Sequence, residues 1–503
     1  MNVVFIMSDT LRRDHLGCYG NKVVRTPCLD KFASEAHVFD RAYFSSYPTV
    51  PNRSDILTGR LNFTYSGWAR LADNEVTLGQ VLGAQKTVSM MIADTPHIFK
   101  NGFNYSRGFT AWNWIRGQEN DQYMTDPADP KLPCDPKKMR SPDFSVKQYL
   151  RNISQRRQES DYFCARTMTT ASEWLERNCK SRFFLYVDTF DPHEPFDPPA
   201  YYTNLYDPGY KGEEVIYPKY APSTYLTEAE IKHIRAMYAG EVTLVDRWIG
   251  RLIDTIDRLG LRDNTAVIVT TDHGFLHGEH GVMGKSIIAD EYFESVPMYE
   301  ELARIPLMIR LPGQKKGVRH GALVQTIDMM PTILEMEGVI ETTAVEGKTS
   351  VQLLQCGFYQ TQKWNLDLKK LHGKSLMPIM NGDAEKVRDF AVTSCSLMQD
   401  TPRIGKCAIT TEEWSLLYCG ESADPSKELK RPAGYESGKN PWDYQVGDTK
   451  PALYHLPSDP GQKTNVIKKH PQVAKELHAK YVKQLEEWGV AEPHLRLRRT
   501  LNI

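Results

Sequence analysis

Four short apolar runs in this chain each end in groups that can bind a cation or move a proton. Val3–Met7 runs into Ser8-Asp9-Thr10, and Ala266–Thr270 into Thr271-Asp272-His273-Gly274. Val88–Ala93 is followed by Asp94-Thr95-Pro96-His97, and Phe183–Val187 by Asp188-Thr189-Phe190-Asp191-Pro192-His193. One aspartate after a strand is ordinary turn or cap chemistry. Carboxylates at all four ends, with a histidine at three, favour a shared site, because open parallel sheets gather reactive groups at the carboxyl ends of their strands. Asp9, Asp272 and His273 suit a divalent cation. Two hard oxygen donors with one imidazole favour Zn2+ or Mn2+, with Ca2+ and Mg2+ left open. The segment Thr49-Val50-Pro51-Asn52-Arg53 adds a hydroxyl and a guanidinium. A hydroxyl where a loop turns into a short helix feels the helix dipole and can be metal-bound, and both lower its pKa. Arg53, one turn later, can hold an anionic oxygen bidentately. Taken alone, Thr49 reads first as an ordinary N-cap.

These groups need a rigid frame. The four runs, together with Leu307–Ile309, read as buried strands of a parallel sheet, most of them rich in β-branched or aromatic residues. Thr227–Leu259 is the clearest helical segment, as one helix or two. Thr227-Glu228-Ala229-Glu230 resembles a capping start, apolar residues follow at helical spacing, and Gly260 is a natural stop. Strand–helix alternation argues for an α/β fold with a mostly parallel central sheet flanked by helices. The texture changes near residue 385. Asp389–Thr393, Cys407–Thr410, Trp414–Tyr418 and Ala452–His455 are short strand candidates, and Lys468–Trp488 is a final amphipathic helix. The expected division is therefore a catalytic α/β domain over 1–385 and a smaller antiparallel α+β subdomain over 386–503. Asp126–Asp143, with five prolines, and Tyr210–Ser223 read as irregular surface segments. Ile98–Asp143 and Tyr201–Ser223 are the expected pocket walls, with Trp112, Trp114, Tyr201, Tyr202 and Tyr206 as an aromatic lining.

Composition narrows the partners. The 503 residues carry 62 Lys plus Arg against 63 Asp plus Glu, a formal net charge of −1, which excludes a globally basic nucleic-acid binder. No stretch approaches the ~20 apolar residues of a membrane span. The nine cysteines show no C-x-x-C spacing and read as free thiols of a cytoplasmic protein. Met1–Met7 leads straight into a strand, so no signal peptide is expected. The N-x-S/T triplets at Asn52, Asn62, Asn104 and Asn152 then read as chance matches.

Several motifs resemble the sulfatases and their relatives in the alkaline phosphatase superfamily, nearly end to end. The opening Asn2–Asp9, with Gly17-Cys18-Tyr19-Gly20 and Thr26-Pro27…Leu29-Asp30, is similar to the sulfatase N-terminus. Leu57-Thr58-Gly59-Arg60 resembles the end of the sulfatase signature. Thr271-Asp272-His273-Gly274…Gly278-Glu279-His280-Gly281…Gly284-Lys285 resembles the second metal segment and its lysine. Asp328-Met329-Met330-Pro331-Thr332, Gly373-Lys374-Ser375-Leu376 and Leu453-Tyr454…Asp459-Pro460…Asn465 resemble later landmarks, and His193 falls in a family-like His-x-Pro.

The resemblance implies one divalent metal ion on Asp9, Thr49, Asp272 and His273. It also implies Thr49, Arg53, His97, His193 and Lys285 as catalytic residues. Thr10, Arg53 and Lys285 are the expected substrate contacts, although Thr10, where many sulfatases carry a further Asp, reads as a residue behind the ligands. Asp188, His193 and His280 do not fit the spacing of a second metal site. The signature C/S-x-P-x-R becomes Thr49-Val50-Pro51-Asn52-Arg53 here. The threonine β-methyl blocks oxidation to formylglycine, so no formylglycine is expected. The threonine-nucleophile relatives act on phosphoryl groups. The implied function is hydrolysis of a small anionic phosphate-type ester (phosphodiester, phosphomonoester or phosphonate ester), with His193 or His97 protonating the leaving group. The alternatives are a sulfatase acting without formylglycine and a non-catalytic binding module. No nucleic-acid or membrane partner is expected, and a homo-oligomer is left open.

Overall fold

The computed structural model describes residues 1–289, 292–340, 350–356, 361–367, 370–397, 406–420 and 450–503. At its centre Thr265–Thr270, Asn2–Ser8, Phe183–Thr189, Val88–Ala93 and Ala111–Trp114 lie side by side and parallel. The first four form because their apolar runs are buried on both faces, while Ala111–Trp114 is an exposed edge strand. Along Asn2–Ser8, Val3, Phe5 and Met7 enter one core, while Val4 and Ile6 enter the other. Phe184 and Tyr186 alternate with Phe183, Leu185 and Val187 in the same way. That is the two-residue period of a strand between two helical layers. The long helix Glu228–Arg258 and Phe163–Asn178 cover one face. The short helices Thr49–Thr58, Leu78–Ala84 and Met329–Met336 cover the other.

The register sets the functional end. Met7 pairs with both Asp188 and Thr270, and Ala93 pairs with Asp188. The four strands therefore finish level, and Asp9, Asp94, Asp188 and Asp272 emerge together. The Thr227–Leu259 segment is one helix. Its start is a capping box, in which Glu230 N donates to Thr227 Oγ1 at 3.3 Å and Thr227 N donates to Glu230 Oε2 at 2.8 Å.

Two sheet expectations need correction. Leu307–Arg310 is antiparallel to Thr265–Thr270 and lies between it and His37–Tyr43, the chain re-entering the sheet after the short helix Glu300–Ala303. It also pairs with His37–Tyr43, which takes Arg304–Ile305 and Val318–Gln325 as further partners and completes a nine-stranded mixed sheet. The second sheet, Ala452–His455, Trp414–Tyr418, Cys407–Thr410 and Ala391–Cys395, is mixed rather than purely antiparallel. Its edge strand is Ser46–Tyr47, which runs parallel to Ala391–Cys395. The first of these C-terminal strands begins at Ala391, two residues beyond the expected Asp389. The last amphipathic helix spans Pro471–Glu487. Within the loop 126–143, Pro136–Lys138 forms one helical turn and Met139 bridges Pro218 of the other irregular segment.

Among the described residues no helix is long and apolar enough to cross a membrane. The described cysteines are free, and the side chain of Cys356 lies outside the described residues. Asn52, Asn62 and Asn152 are buried, so these triplets offer no acceptor surface.

Ser46–Tyr47 ties the small sheet to the Thr49 helix through Asp55, which accepts from Ser46 N, Ser46 Oγ and Asn62 N at 2.7–2.8 Å. Asp55→Ala strands two buried N–H groups, each worth about 1–3 kcal/mol. Thr227→Ala removes one cap, worth about 1 kcal/mol. Urea unfolding is expected to rank Asp55→Ala as the more destabilised variant, and the reverse order contradicts this assignment.

Candidate active site

Asp9 and Asp272 follow neighbouring parallel strands, and with His273 they form a buried trio whose ligand atoms lie within 4.8 Å of one another. His273 Nδ1–H donates to Gly274 O at 2.9 Å, a tautomer assigned from its partners, so Nε2 is the nitrogen left to bind. That Nε2 lies 3.2 Å from Thr49 Oγ1, 3.3 Å from Lys285 Nζ and 3.4 Å from Asp272 Oδ2. Gly274 is required here, because a Cβ on it would stand 1.9 Å from Glu301 O. Gly284, at φ +116°, brings Lys285 past the ring of Tyr220 in the same way.

The carboxylates are held from behind by Thr10. Its N–H donates to Asp272 Oδ1 at 3.0 Å and its hydroxyl to Asp9 Oδ1 at 2.7 Å, while its carbonyl accepts from Tyr238. Thr10 has φ +61°, left-handed backbone that a β-branched residue adopts only where its surroundings enforce it. Thr10 is therefore a residue that orients the trio, not the substrate contact expected from sequence, because its hydroxyl is committed to Asp9.

Burial first, and then Asp272, push Asp9 well above the usual carboxylate range. Burial also works against Asp272, but its neighbours, His273 and Arg53 foremost, carry it below that range. Burial holds His273 down to about 3, so its imidazole is neutral. Asp9 Oδ2 is buried without a hydrogen-bond partner. Two oxygen ligands, a neutral imidazole and a buried carboxylate oxygen that no hydrogen bond satisfies fit a divalent cation.

Arg53 is buried between these carboxylates. Nε and Nη2 grip Asp188 at 2.7 Å each, and Nη1 donates to Asp272 Oδ2 at 2.8 Å and to Thr49 O at 3.1 Å. Nη2 also stands 3.1 Å from Asp9 Oδ2. Burial opposes the guanidinium charge, and Asp188, then Asp272 and Asp9, more than restore it. In this arrangement Arg53 binds protein carboxylates rather than presenting a free fork. Asp188, whose spacing did not fit a second metal site, is its main partner. Thr49 is the first residue of its helix, after Pro48 as N-cap, and not the N-cap itself. Its carbonyl takes an Arg53 hydrogen while its hydroxyl faces His273.

Lys285 Nζ donates to His193 Nε2 at 2.8 Å, and His193 Nδ1–H donates to Glu194 O at 2.7 Å. Burial, then Lys285, keeps His193 well below the ordinary histidine range. Neutral, with Nε2 accepting, His193 suits a proton acceptor better than the donor role expected for it. His97 is one ring further out, with Phe190 between the two. The Phe190 centroid is 3.9 Å from His193 and 5.6 Å from His97. The turn Pro96–Ile98 that carries His97 packs on the Thr49 helix.

The structure thus brings together Asp9, Thr10, Thr49, Arg53, His193, Asp272, His273 and Lys285, with His97 at the margin. His280 lies elsewhere, stacked on Tyr299 beside Glu301. The expected aromatic lining is not at this site. Trp114 stacks on Phe99, Tyr201 and Tyr202 share Glu159, and Tyr206 bonds Thr243. Trp112 is exposed. The rings at the site are Phe190, Tyr47 and Trp68, with Trp68 edge-on to His97 at 5.2 Å and 40% exposed. Sequence reasoning also gave no role to Glu119, Arg140 or Glu194, which back the two histidines. No periodicity or motif marks them, because they sit on irregular segments.

Residues 1–339 match the family model described as Sulfatase. The chain is 25% identical over 405 residues to an arylsulfatase of Clostridium perfringens, covering 70% of this chain and 78% of that one. It is 28% identical over 243 residues to a multifunctional alkaline phosphatase superfamily protein of Trinickia caryophylli, covering 42% and 43%. Among solved structures it is similar to a phosphonate monoester hydrolase of Agrobacterium radiobacter, with TM-score 0.67, 18% identity and coverage of 96% and 95%. The chain belongs to the sulfatase family, a hydrolase family whose superfamily members use a divalent metal.

Adding Mn2+ or Zn2+ to chelator-treated protein is expected to raise the unfolding temperature. A ligand at 100 times its Kd stabilises by about 2.7 kcal/mol. Asp9→Asn and His273→Ala are expected to abolish the shift. An undiminished shift in both variants contradicts the trio as the metal site.

Proposed function

We propose that this sulfatase-family chain hydrolyses phosphate-type esters (phosphodiester, phosphomonoester or phosphonate ester) by in-line attack of Thr49, over a catalytic domain of residues 1–385. The observation that carries the reading is a β-branched hydroxyl at the head of a buried helix, 3.2 Å from the imidazole nitrogen of a metal-type trio. Threonine takes the signature position, and its methyl group blocks conversion to an aldehyde. A threonine ester must then be cleaved by water at phosphorus or sulfur.

Asp9, Asp272, His273 Nε2 and the Thr49 hydroxyl would hold the divalent ion, which supplies Lewis acidity that lowers the hydroxyl pKa and offsets substrate charge. Thr49, its proton lost to solvent, attacks and forms a covalent threonine ester. Lys285, with one hydrogen on His193 Nε2, has others to direct at an equatorial oxygen of the transferring group. Arg53 keeps Asp272, Asp188 and the Thr49 carbonyl in place, and Nη2, loosely set on Asp9, is the group a substrate oxygen can claim. His193, neutral and accepting, takes up a proton when water enters. A second reading, sulfate ester hydrolysis by the same residues, is favoured by the arylsulfatase relative.

The test is turnover of p-nitrophenyl phosphate, bis-p-nitrophenyl phosphate, p-nitrophenyl phenylphosphonate and p-nitrophenyl sulfate by wild type and Thr49→Ala, with Mn2+ or Zn2+. Phosphoryl turnover is expected, with a loss of at least about 10³-fold in the variant. Turnover of the sulfate alone overturns the substrate class in favour of the second reading. Turnover retained in Thr49→Ala overturns the nucleophile. No turnover with metal bound favours a binding role.

A further inference from the structure

The two histidines lean on two buried glutamates that share one guanidinium. His97 Nε2 lies 3.0 Å from Glu119 Oε2, and His193 Nδ1 lies 3.2 Å from Glu194 Oε2. Arg140 Nη2 reaches Glu119 Oε1 at 3.2 Å and Glu194 Oε1 at 3.1 Å, and its guanidinium lies over the rings of Tyr217 and Tyr220, 4.4 Å from each centroid. Tyr217 donates to Glu119, and Tyr220 to Glu194. Glu119 and Glu194 are 3% and 0% exposed, and Glu119 has φ +47°. A non-glycine residue held in left-handed backbone, with its carboxylate clamped by a guanidinium and a phenol, has a defined direction.

The two arms are not equivalent. Glu194 reaches His193 on the nitrogen that already donates to the Glu194 carbonyl, while Lys285 holds the other nitrogen as an acceptor. Glu119 Oε2 lies 3.0 Å from His97 Nε2, which leaves Nδ1 for a ligand, and among the described residues no lysine bonds that ring. From this geometry we infer that Glu119, fixed by Arg140 and Tyr217, is a positioning residue that holds His97 as the general acid toward the leaving-group oxygen. The inference rests on the ester-hydrolase reading above and assigns one step within it. Glu119 is held well below the usual carboxylate range, against burial, by His97 and then Arg140, which agrees with an ionised partner for an imidazolium.

The step balances. As the bond from phosphorus (or sulfur) to the leaving oxygen breaks, its electron pair stays on that oxygen, which takes the Nδ1 proton of the His97 imidazolium. His97 becomes neutral and keeps its Nε2–H on Glu119. When water cleaves the threonine ester, His193 takes one water proton, the threonine oxygen departs as the alkoxide, and solvent carries a proton away from His193 and restores one to His97.

General acid assistance matters for a poor leaving group and little for p-nitrophenolate. The experiment measures kcat/KM of wild type, Glu119→Gln, His97→Gln and the double variant on the p-nitrophenyl and the methyl ester of the same acid. Glu119→Gln is expected to lose about 10–100-fold on the methyl ester and under about threefold on the p-nitrophenyl ester. His97→Gln is expected to lose more with the same bias, and the double variant to be no worse than His97→Gln. Equal losses on both esters, or losses that multiply in the double variant, overturn the assignment. Tyr217→Phe, which removes one donor to Glu119, gives the same bias on a smaller scale and stands in where Glu119→Gln does not fold. If wild type turns over neither ester, the ester-hydrolase reading fails by itself. The His97–Glu119 pairing is then read by proton NMR of the metal-loaded protein. A downfield imidazole N–H resonance, assigned by its loss in His97→Gln, is expected to vanish in Glu119→Gln, and its persistence overturns the pairing.

Discussion

The site depends on one buried cation, the Arg53 guanidinium, shared by Asp188, Asp272 and Asp9. Three carboxylates at the ends of adjacent strands repel one another in a medium of low dielectric, and without Arg53 that end of the sheet would be strongly destabilised. Were all three carboxylates ionised, Arg53 and Lys285 would leave one negative charge uncompensated. That charge is the one disfavoured on Asp9, whose Oδ2 has only the Arg53 ion pair at 3.1 Å and no hydrogen bond, and whose pKa is raised. A divalent ion held there would reverse the sign of the local charge, which under the proposed function would favour an anionic ester.

Position is supplied by strand register. Because Met7 stands opposite Asp188 and Thr270, the groups after each strand cannot shift without slipping a strand, and a one-residue slip turns every side chain to the other face. The nucleophile candidate is not on this sheet. Thr49 is presented from the opposite side by a helix anchored through Asp55 and through Ser46–Tyr47, which is an edge strand of the C-terminal sheet. The smaller sheet therefore helps to hold the Thr49 helix against the larger one.

Much of this was legible in the sequence. Buried strands announce themselves as continuous β-branched runs, so Val88–Ala93 was read to the residue and Asn2–Ser8 to within one. Asp9, Asp272 and His273 were legible because each follows such a run. The capping box at Thr227 was legible because local chemistry fixes it. Sheet order and direction were not, because Leu307–Arg310 reads the same parallel or antiparallel when both of its faces are buried. The two-residue strand Ser46–Tyr47 is too short to show a period. Asp188 did not fit a metal site by spacing, but its role was not legible either, because sequence does not reveal that a guanidinium from 135 residues away claims it. Glu119 and Arg140 were invisible for the same reason: their meaning lies in contacts between irregular segments.

The central claim is that Thr49 carries the transferred acid group. The most direct measurement is acid quenching of the metal-loaded protein during turnover, followed by peptide mapping. The account predicts a phosphoryl or phosphonyl ester on Thr49 that disappears when substrate is exhausted. An ester on another residue, or sustained turnover with Thr49 unmodified at every time point, contradicts it.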